Sequence, residues 1–193
     1  MTVTASAKKL VLNNDFGAIK VVGEAGRTEI DMKPTLKSSD PEAGTIDVLA
    51  DGESMLVQVN NSSGGTIAVD VTIYTPKELS FTVNTGGGNL DLTGMTGSGI
   101  ANTKDGDCTI DMDLGTSGSL TVNTLKGDIK VTVPATTKGD LSASATAGTL
   151  TVSSNLNLDT PVYAGMGSGS LNGGGDASIT LSSTSGNISV SGK

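Results

Sequence analysis

Histidine and tryptophan are absent from all 193 residues, and cysteine occurs only once. Without histidine the chain has no imidazole to move protons near neutral pH and lacks a ligand for the common zinc centres. A single cysteine excludes an internal disulfide, so cysteine usage gives no reading of the redox compartment. The aromatic inventory is Phe16, Tyr74, Phe81 and Tyr163, too scattered in sequence to suggest a platform for stacking sugar rings. Positive charge is also scarce. Twelve basic groups face 20 acidic ones for a net charge of −8, and Arg27 is the only arginine, which argues against nucleic acid as a partner. No stretch approaches the roughly 18 apolar residues of a membrane span. The opening Met1-Thr-Val-Thr-Ala-Ser-Ala-Lys-Lys lacks the basic segment and apolar run of a signal peptide, so a cytoplasmic location stays open beside an extracytoplasmic one.

What the chain has is glycine, 27 in all, and alternation of apolar with polar residues at the strand period of two. Leu90 and Leu92 share one parity, as do Ile110, Met112 and Leu114, then Leu120 and Val122, then Ile129, Val131 and Val133. Leu150 with Val152, Ile179 with Leu181, and Ile188 with Val190 continue the pattern. Asp91, Thr109, Asp111, Thr121, Lys130, Thr132 and Thr151 fall between them and are expected to point outward. No segment combines helical spacing with a cap and sufficient length. The fold class expected is all-β.

The glycines keep a register. Gly106, Gly127 and Gly148 lie 21 residues apart, Gly97, Gly118 and Gly139 repeat that offset, and Gly44 and Gly65 show it again. The unit reads Gly-polar-apolar-polar-apolar, as in Gly127-Asp-Ile-Lys-Val, Gly148-Thr-Leu-Thr-Val and Gly186-Asn-Ile-Ser-Val. Two interleaved series predict two strands per coil in a β-solenoid, right-handed and parallel β-helix-like, with about 21 residues per coil. Glycine at each corner takes positive φ without a Cβ penalty, and the Asp or Asn after it bonds the turn backbone. An antiparallel β-sandwich is the alternative, because short strands at 8 to 12 residues also suit it. Residues 1–193 read as one domain, with the weakest seam near residue 85. Lys37-Ser-Ser-Asp-Pro-Glu reads as an exposed loop, and residues 153–177 as an irregular connection.

Three stretches carry a family resemblance: Val69-Asp-Val-Thr-Ile-Tyr-Thr-Pro with Leu79-Ser-Phe-Thr-Val-Asn-Thr, the Gly-Asp/Thr-Ile/Leu-X-Val strands, and Ala177-Ser-Ile-Thr-Leu-Ser-Ser-Thr-Ser-Gly-Asn-Ile-Ser-Val. Together they resemble the bacterial putative-adhesin domains of unknown function, the β-strand-repeat family related to autotransporter adhesin heads. The resemblance covers nearly the whole chain. It implies a β-helix-like fold and a place at the cell envelope, and it brings no catalytic residues to carry across.

Chemistry-bearing clusters are few. Asp105, Asp107, Asp111 and Asp113 crowd one segment, with Asp128 and Asp140 at further Gly-Asp corners. Several carboxylates suit calcium, but the spacing matches neither an EF-hand nor the Gly-Gly-X-Gly-X-Asp nonapeptide, so turn and surface roles are expected. A carbohydrate-active β-helix enzyme is the outside possibility, without a nameable acid/base pair. Gly86-Gly-Gly and Gly173-Gly-Gly lack the Lys-Ser/Thr or helix start of a phosphate loop. Cys108 shares parity with Ile110 and reads as a buried, inert hydrophobe. Catalytic residues, cofactor sites and metal sites are therefore expected to be absent. The function expected is a surface or envelope interaction module that binds a glycan or envelope protein. The alternative is a structural or stress-sensing envelope protein that self-associates through its solenoid ends, where strand edges stay open.

Overall fold

The computed structural model describes residues 2–4, 8–36, 44–51, 54–61 and 68–193. The charged loop expected at 37–42 lies outside these, as does Gly65. In chain order the first strands are β1 (Thr2–Thr4), β2 (Lys9–Asn14), β3 (Ile19–Glu24), β4 (Glu29–Leu36), β5 (Gly44–Asp51) and β6 (Ser54–Asn61). Six follow: β7 (Val69–Pro76), β8 (Ser80–Gly87), β9 (Leu90–Thr96), β10 (Gly99–Asp105), β11 (Cys108–Asp113) and β12 (Ser119–Lys126). The last are β13 (Ile129–Val133), β14 (Gly139–Ala145), β15 (Leu150–Val152), β16 (Met166–Leu171), β17 (Ala177–Ser185) and β18 (Ile188–Gly192). Only one helical turn interrupts them among the described residues, the three-residue 3-10 segment Ser154–Leu156.

The strands form two nine-stranded sheets, one ordered β1-β4-β7-β3-β9-β11-β13-β18-β15 and the other β16-β14-β17-β12-β10-β8-β2-β6-β5. Consecutive strands of the middle layers alternate between the sheets and stack in parallel on the next layer, as a solenoid requires. The antiparallel sandwich has no such parallel ladders. Leu90 faces Cys108 and Cys108 faces Ile129, offsets of 18 and 21 residues. Ile129 then faces Ile188, skipping the coil between.

That skip is a departure from simple stacking. The last coil, β17 with β18, is inserted between the β12–β13 layer and the β14–β15 layer. The first coil, β2 with β3, is likewise held between the β6–β7 layer and the β8–β9 layer. β2, β3, β17 and β18 are thus paired on both edges. The outer strands are antiparallel, β5 on β6, β4 on β7, β1 on β4 and β16 on β14, except β15, which lies parallel on β18. The Gly-rich run expected as irregular connection therefore contains a strand, β16. Its outer edge is bonded by the preceding loop: Ser170 N–H donates to Asp159 Oδ1 (2.8 Å) and Asp159 N–H to Ser170 O (3.1 Å).

The alternating residues meet between the sheets. In one, Met55, Leu10, Phe81, Gly99, Leu120, Ile179 and Leu141 follow each other across successive strands. In the other, Ile19, Leu90, Cys108, Ile129, Ile188 and Leu150 do the same. All of these but Gly99 are apolar side chains buried in one continuous core. Burying a Val, Leu or Ile side chain is worth about 1.5–3 kcal/mol, so these rows bind the layers together.

Candidate functional site

The corners show first what the conspicuous residues are for. Gly17, Gly88, Gly106, Gly127 and Gly186 take φ between +125° and +154°. A Cβ on Gly127 would lie 2.1 Å from Gly106 O, and one on Gly106 2.3 Å from Gly88 O. The column is a backbone-on-backbone stack. Beside it the Asp and Asn after Gly88, Gly106, Gly127 and Gly186 form a ladder. Asp107 N–H donates to Asn89 Oδ1 (3.0 Å), Asp128 N–H to Asp107 Oδ1 (2.8 Å), Asn187 N–H to Asp128 Oδ1 (2.7 Å) and Thr149 N–H to Asn187 Oδ1 (3.0 Å). On the core side, the Thr103, Thr124 and Ser183 hydroxyls donate to Gly88 O, Gly106 O and Gly127 O at 3.0–3.3 Å.

The acidic residues singled out from the sequence are therefore occupied separately. Asp105 pairs with Lys126 (3.6 Å), Asp111 pairs with Lys193, Asp113 accepts from Gly115 N–H (2.8 Å) and Asp140 accepts from Ser170 Oγ (3.0 Å). Among the described residues no three acidic, Cys or His side chains converge as a metal site would need. Asp128→Ala is expected to cost about 1 kcal/mol, because Asn187 N–H loses its acceptor, whereas Asp128→Asn keeps that acceptor and relieves the charge stacked on Asp107. Chemical denaturation of the two variants checks this. Equal losses would show that charge, not the hydrogen bond, matters.

Cys108 is fully buried in the core, and burial, with the Asp107 charge as a lesser cause, pushes its thiol up to about 12. It stays protonated and unreactive in the folded protein. Because the folded value lies above the ordinary 9.0, the stabilisation is intact below pH 9 and is lost as pH rises from 9 through 12. A thiol reagent at pH 8 is expected to label Cys108 only after denaturation, and Cys108→Ala to flatten the alkaline loss of stability. Rapid native labelling would contradict that burial.

The two outer faces differ in kind. On the β1–β15 sheet, one outward row runs Lys33, Thr72, Lys20, Asp91, Thr109, Lys130, Ser189, Thr151, with Lys20 and Asp91 paired at 3.5 Å. Arg27 and Lys33 lie over the Tyr74 ring, 5.7 Å and 4.9 Å from its centre. On the β16–β5 sheet, the outward row Leu49, Leu56, Val11, Thr82, Ile100, Thr121, Thr180, Ser142, Ser168 crosses all nine strands without a charge. The next row holds an amide ladder. Asn123 donates to Asn102 (2.9 Å), Asn102 to Asn84 (2.8 Å), Asn84 to Asn13 (2.8 Å) and Asn13 to Gln58 (3.1 Å). Asp47 at the β5 edge is the sole charged residue of these two rows.

Outward-facing threonines were expected from the sequence, and the amide ladder was not. The repeated Val83-Asn-Thr, Ala101-Asn-Thr and Val122-Asn-Thr held its signal, legible only once 18- and 21-residue offsets are aligned together. The concavities on this sheet are open grooves. One of about 400 Å³ lies along Asn13, Asn84 and Asn102, and one of about 550 Å³ lies between Ser142, Thr160, Tyr163 and Met166. Asp15 and Lys104 also line the first, whereas no carboxylate or amine lines the second. Gly86–Gly88 serves the corner column, and Gly173 and Gly174 turn the chain after β16, each with φ +84°.

The comparisons with known proteins follow the fold. A sequence model of the Toastrack DUF4097 family matches residues 9–191, nearly the whole chain, in agreement with the resemblance carried by the strand repeats. No curated protein matches the sequence. Among solved structures, a putative cell adhesion protein from Clostridium sporogenes is similar at TM-score 0.70 and 14% identity, over 98% of this chain and 94% of that one. A putative adhesin from Bacteroides fragilis aligns over 98% of this chain and 95% of that one, at 10% identity and TM-score 0.28, so only the first bears on the fold.

Proposed function

We propose that this chain, which belongs to the Toastrack DUF4097 family, is a non-enzymatic, adhesin-like interaction module of the cell surface or envelope. Its scaffold on this reading is one right-handed β-solenoid domain, with coils of about 21 residues as its common period. The supporting observation is the uncharged outward row that crosses all nine strands of the β16–β5 sheet, in a chain of net charge −8. Side chains on a paired sheet are held at fixed spacing, so amides, hydroxyls and aliphatic groups meet a broad partner already ordered. A surface glycan or an envelope protein suits such a face. The name of the Clostridium structure points the same way.

The test is to express the full natural gene in its host and treat intact cells with protease. Loss of the domain supports a place outside the membrane. Full protection, with the protein in the soluble cytoplasmic fraction, would retire the adhesin reading in favour of an internal scaffold or regulator. Binding of the purified chain to isolated envelopes, reduced by Asn102→Asp on the face and not by Lys130→Glu on the opposite sheet, would assign the surface. Release of reducing ends from a polysaccharide panel would instead revive the enzyme.

A further inference from the structure

We infer that the outer face of the β16–β5 sheet is a self-association surface, on which a second copy of this chain packs face to face. The inference rests on the reading of this face as the interaction surface and names its occupant. Three observations carry it.

The first is where charge lies. Copies of a chain with net charge −8 repel one another unless they meet where charge is missing, and the outward row from Leu49 to Ser168 has none. Its β5–β10 half is largely aliphatic: Leu49 is 60% exposed and Ile100 41% exposed, with Leu56 and Val11 half-buried between them. Solvent-exposed aliphatic groups in one line supply the driving force for association.

The second is the state of the amides. Asn13, Asn84 and Asn102 already bond a neighbour on each side along the sheet, and Asn123 bonds Asn102. Covering this row removes water from groups whose strongest partners are within the same chain, so the desolvation penalty of buried amides is small. Stacked Asn and Gln ladders are the side chains found in dry interfaces between paired sheets.

The third is size and repeat. Nine strands at about 4.8 Å give a face roughly 38 Å long, and strands of about 20 Å give it width. That is roughly 750 Å² per copy and about 1,500 Å² in a pair, within the range of stable specific interfaces, with the charges of this face, Lys9, Asp47, Lys104 and Asp140, lying outside the uncharged row. Only another stack of strands repeats its side chains at the same spacing along this axis, so two copies interdigitate over their whole length. A single extended peptide, rising about 3.3 Å per residue, falls out of step within a few layers.

Sedimentation of the intact protein from low to high micromolar concentration tests this. A monomer–dimer equilibrium is expected, with Ile100→Lys raising the dissociation constant by about tenfold or more and Lys130→Glu on the opposite sheet leaving it unchanged. Thr121→Lys, one strand along the same row, gives a second and milder probe, and thermal melting confirms that each variant folds. A dimer that survives both face variants would overturn the inference, because the contact would then lie elsewhere. A monomer at every concentration would overturn it too. In that case, envelope binding lost on Ile100→Lys would leave the interaction face standing with a different occupant, and unchanged envelope binding would remove both.

Discussion

Gly127→Ala is expected to cost about 3–5 kcal/mol, enough to lower the melting temperature by roughly 10 °C or to prevent folding. Two independent penalties add at this position. Its φ of +143° lies where side chains with a Cβ are strained, and the added methyl would sit 2.1 Å from Gly106 O, a backbone atom that cannot swing away. Relief would require parting the β12–β13 corner from the layer below. That separation would strain the Cys108 N–H to Asp128 O bond (2.8 Å) and the Asp107 Oδ1 contact with Asp128 N–H. Gly97→Ala is the informative control. Its φ is +95°, but its Cβ would meet no atom within 4 Å, so only the local strain of about 1–2 kcal/mol remains. Equal losses in the two variants would show that conformational freedom alone, and not close stacking of layers, keeps glycine in the column.

The same column explains why the sequence discloses the coils and hides their order. Inward parity at Leu90, Ile110, Ile129 and Ile188 is a property of each strand alone, so it can be read locally and holds throughout the core. Contact between layers at the corner is backbone on backbone, and a Gly-Asp or Gly-Asn corner accepts any other. The 21-residue step from Gly127 to Gly148 suggests that these two stack, yet a Cβ on Gly148 would meet Gly186 O, and one on Gly186 would meet Gly127 O. Nothing in the spacing marks the inserted coil. Antiparallel end strands were hidden for a related reason, since β16, Met-Gly-Ser-Gly-Ser-Leu, has one buried residue of its own, Leu171. Of the candidate site, the aspartates were legible as corner residues by turn chemistry. The uncharged row and the amide ladder beside it were not, because assigning Ile100 and Asn102 to one surface with Val11 and Gln58 requires the non-sequential strand order.

Phe81 and Gly99 should behave as one unit. Phe81 is 2% exposed, and its ring occupies the space that a side chain on Gly99, its partner on β10, would need: a Cβ there would lie 2.0 Å from Phe81 Cζ. Phe81→Ala is expected to cost about 3–5 kcal/mol, since it empties the largest volume in a core row between Leu10 and Leu120. Gly99→Ala is expected to cost about 1–3 kcal/mol by overpacking alone, because its φ is outside the region that disfavours a side chain. Combining Gly99→Ala with Phe81→Leu brings the smaller residue and the new methyl together. The pair should be at least about 1 kcal/mol more stable than the sum of its single losses. Urea denaturation of the four proteins measures this coupling directly. Strict additivity would mean that the ring moves aside freely and that Gly99 is retained for another reason. A positive coupling would establish that residue size is matched between neighbouring layers, so a coil is fitted to the coil it touches even where its corner would accept any other.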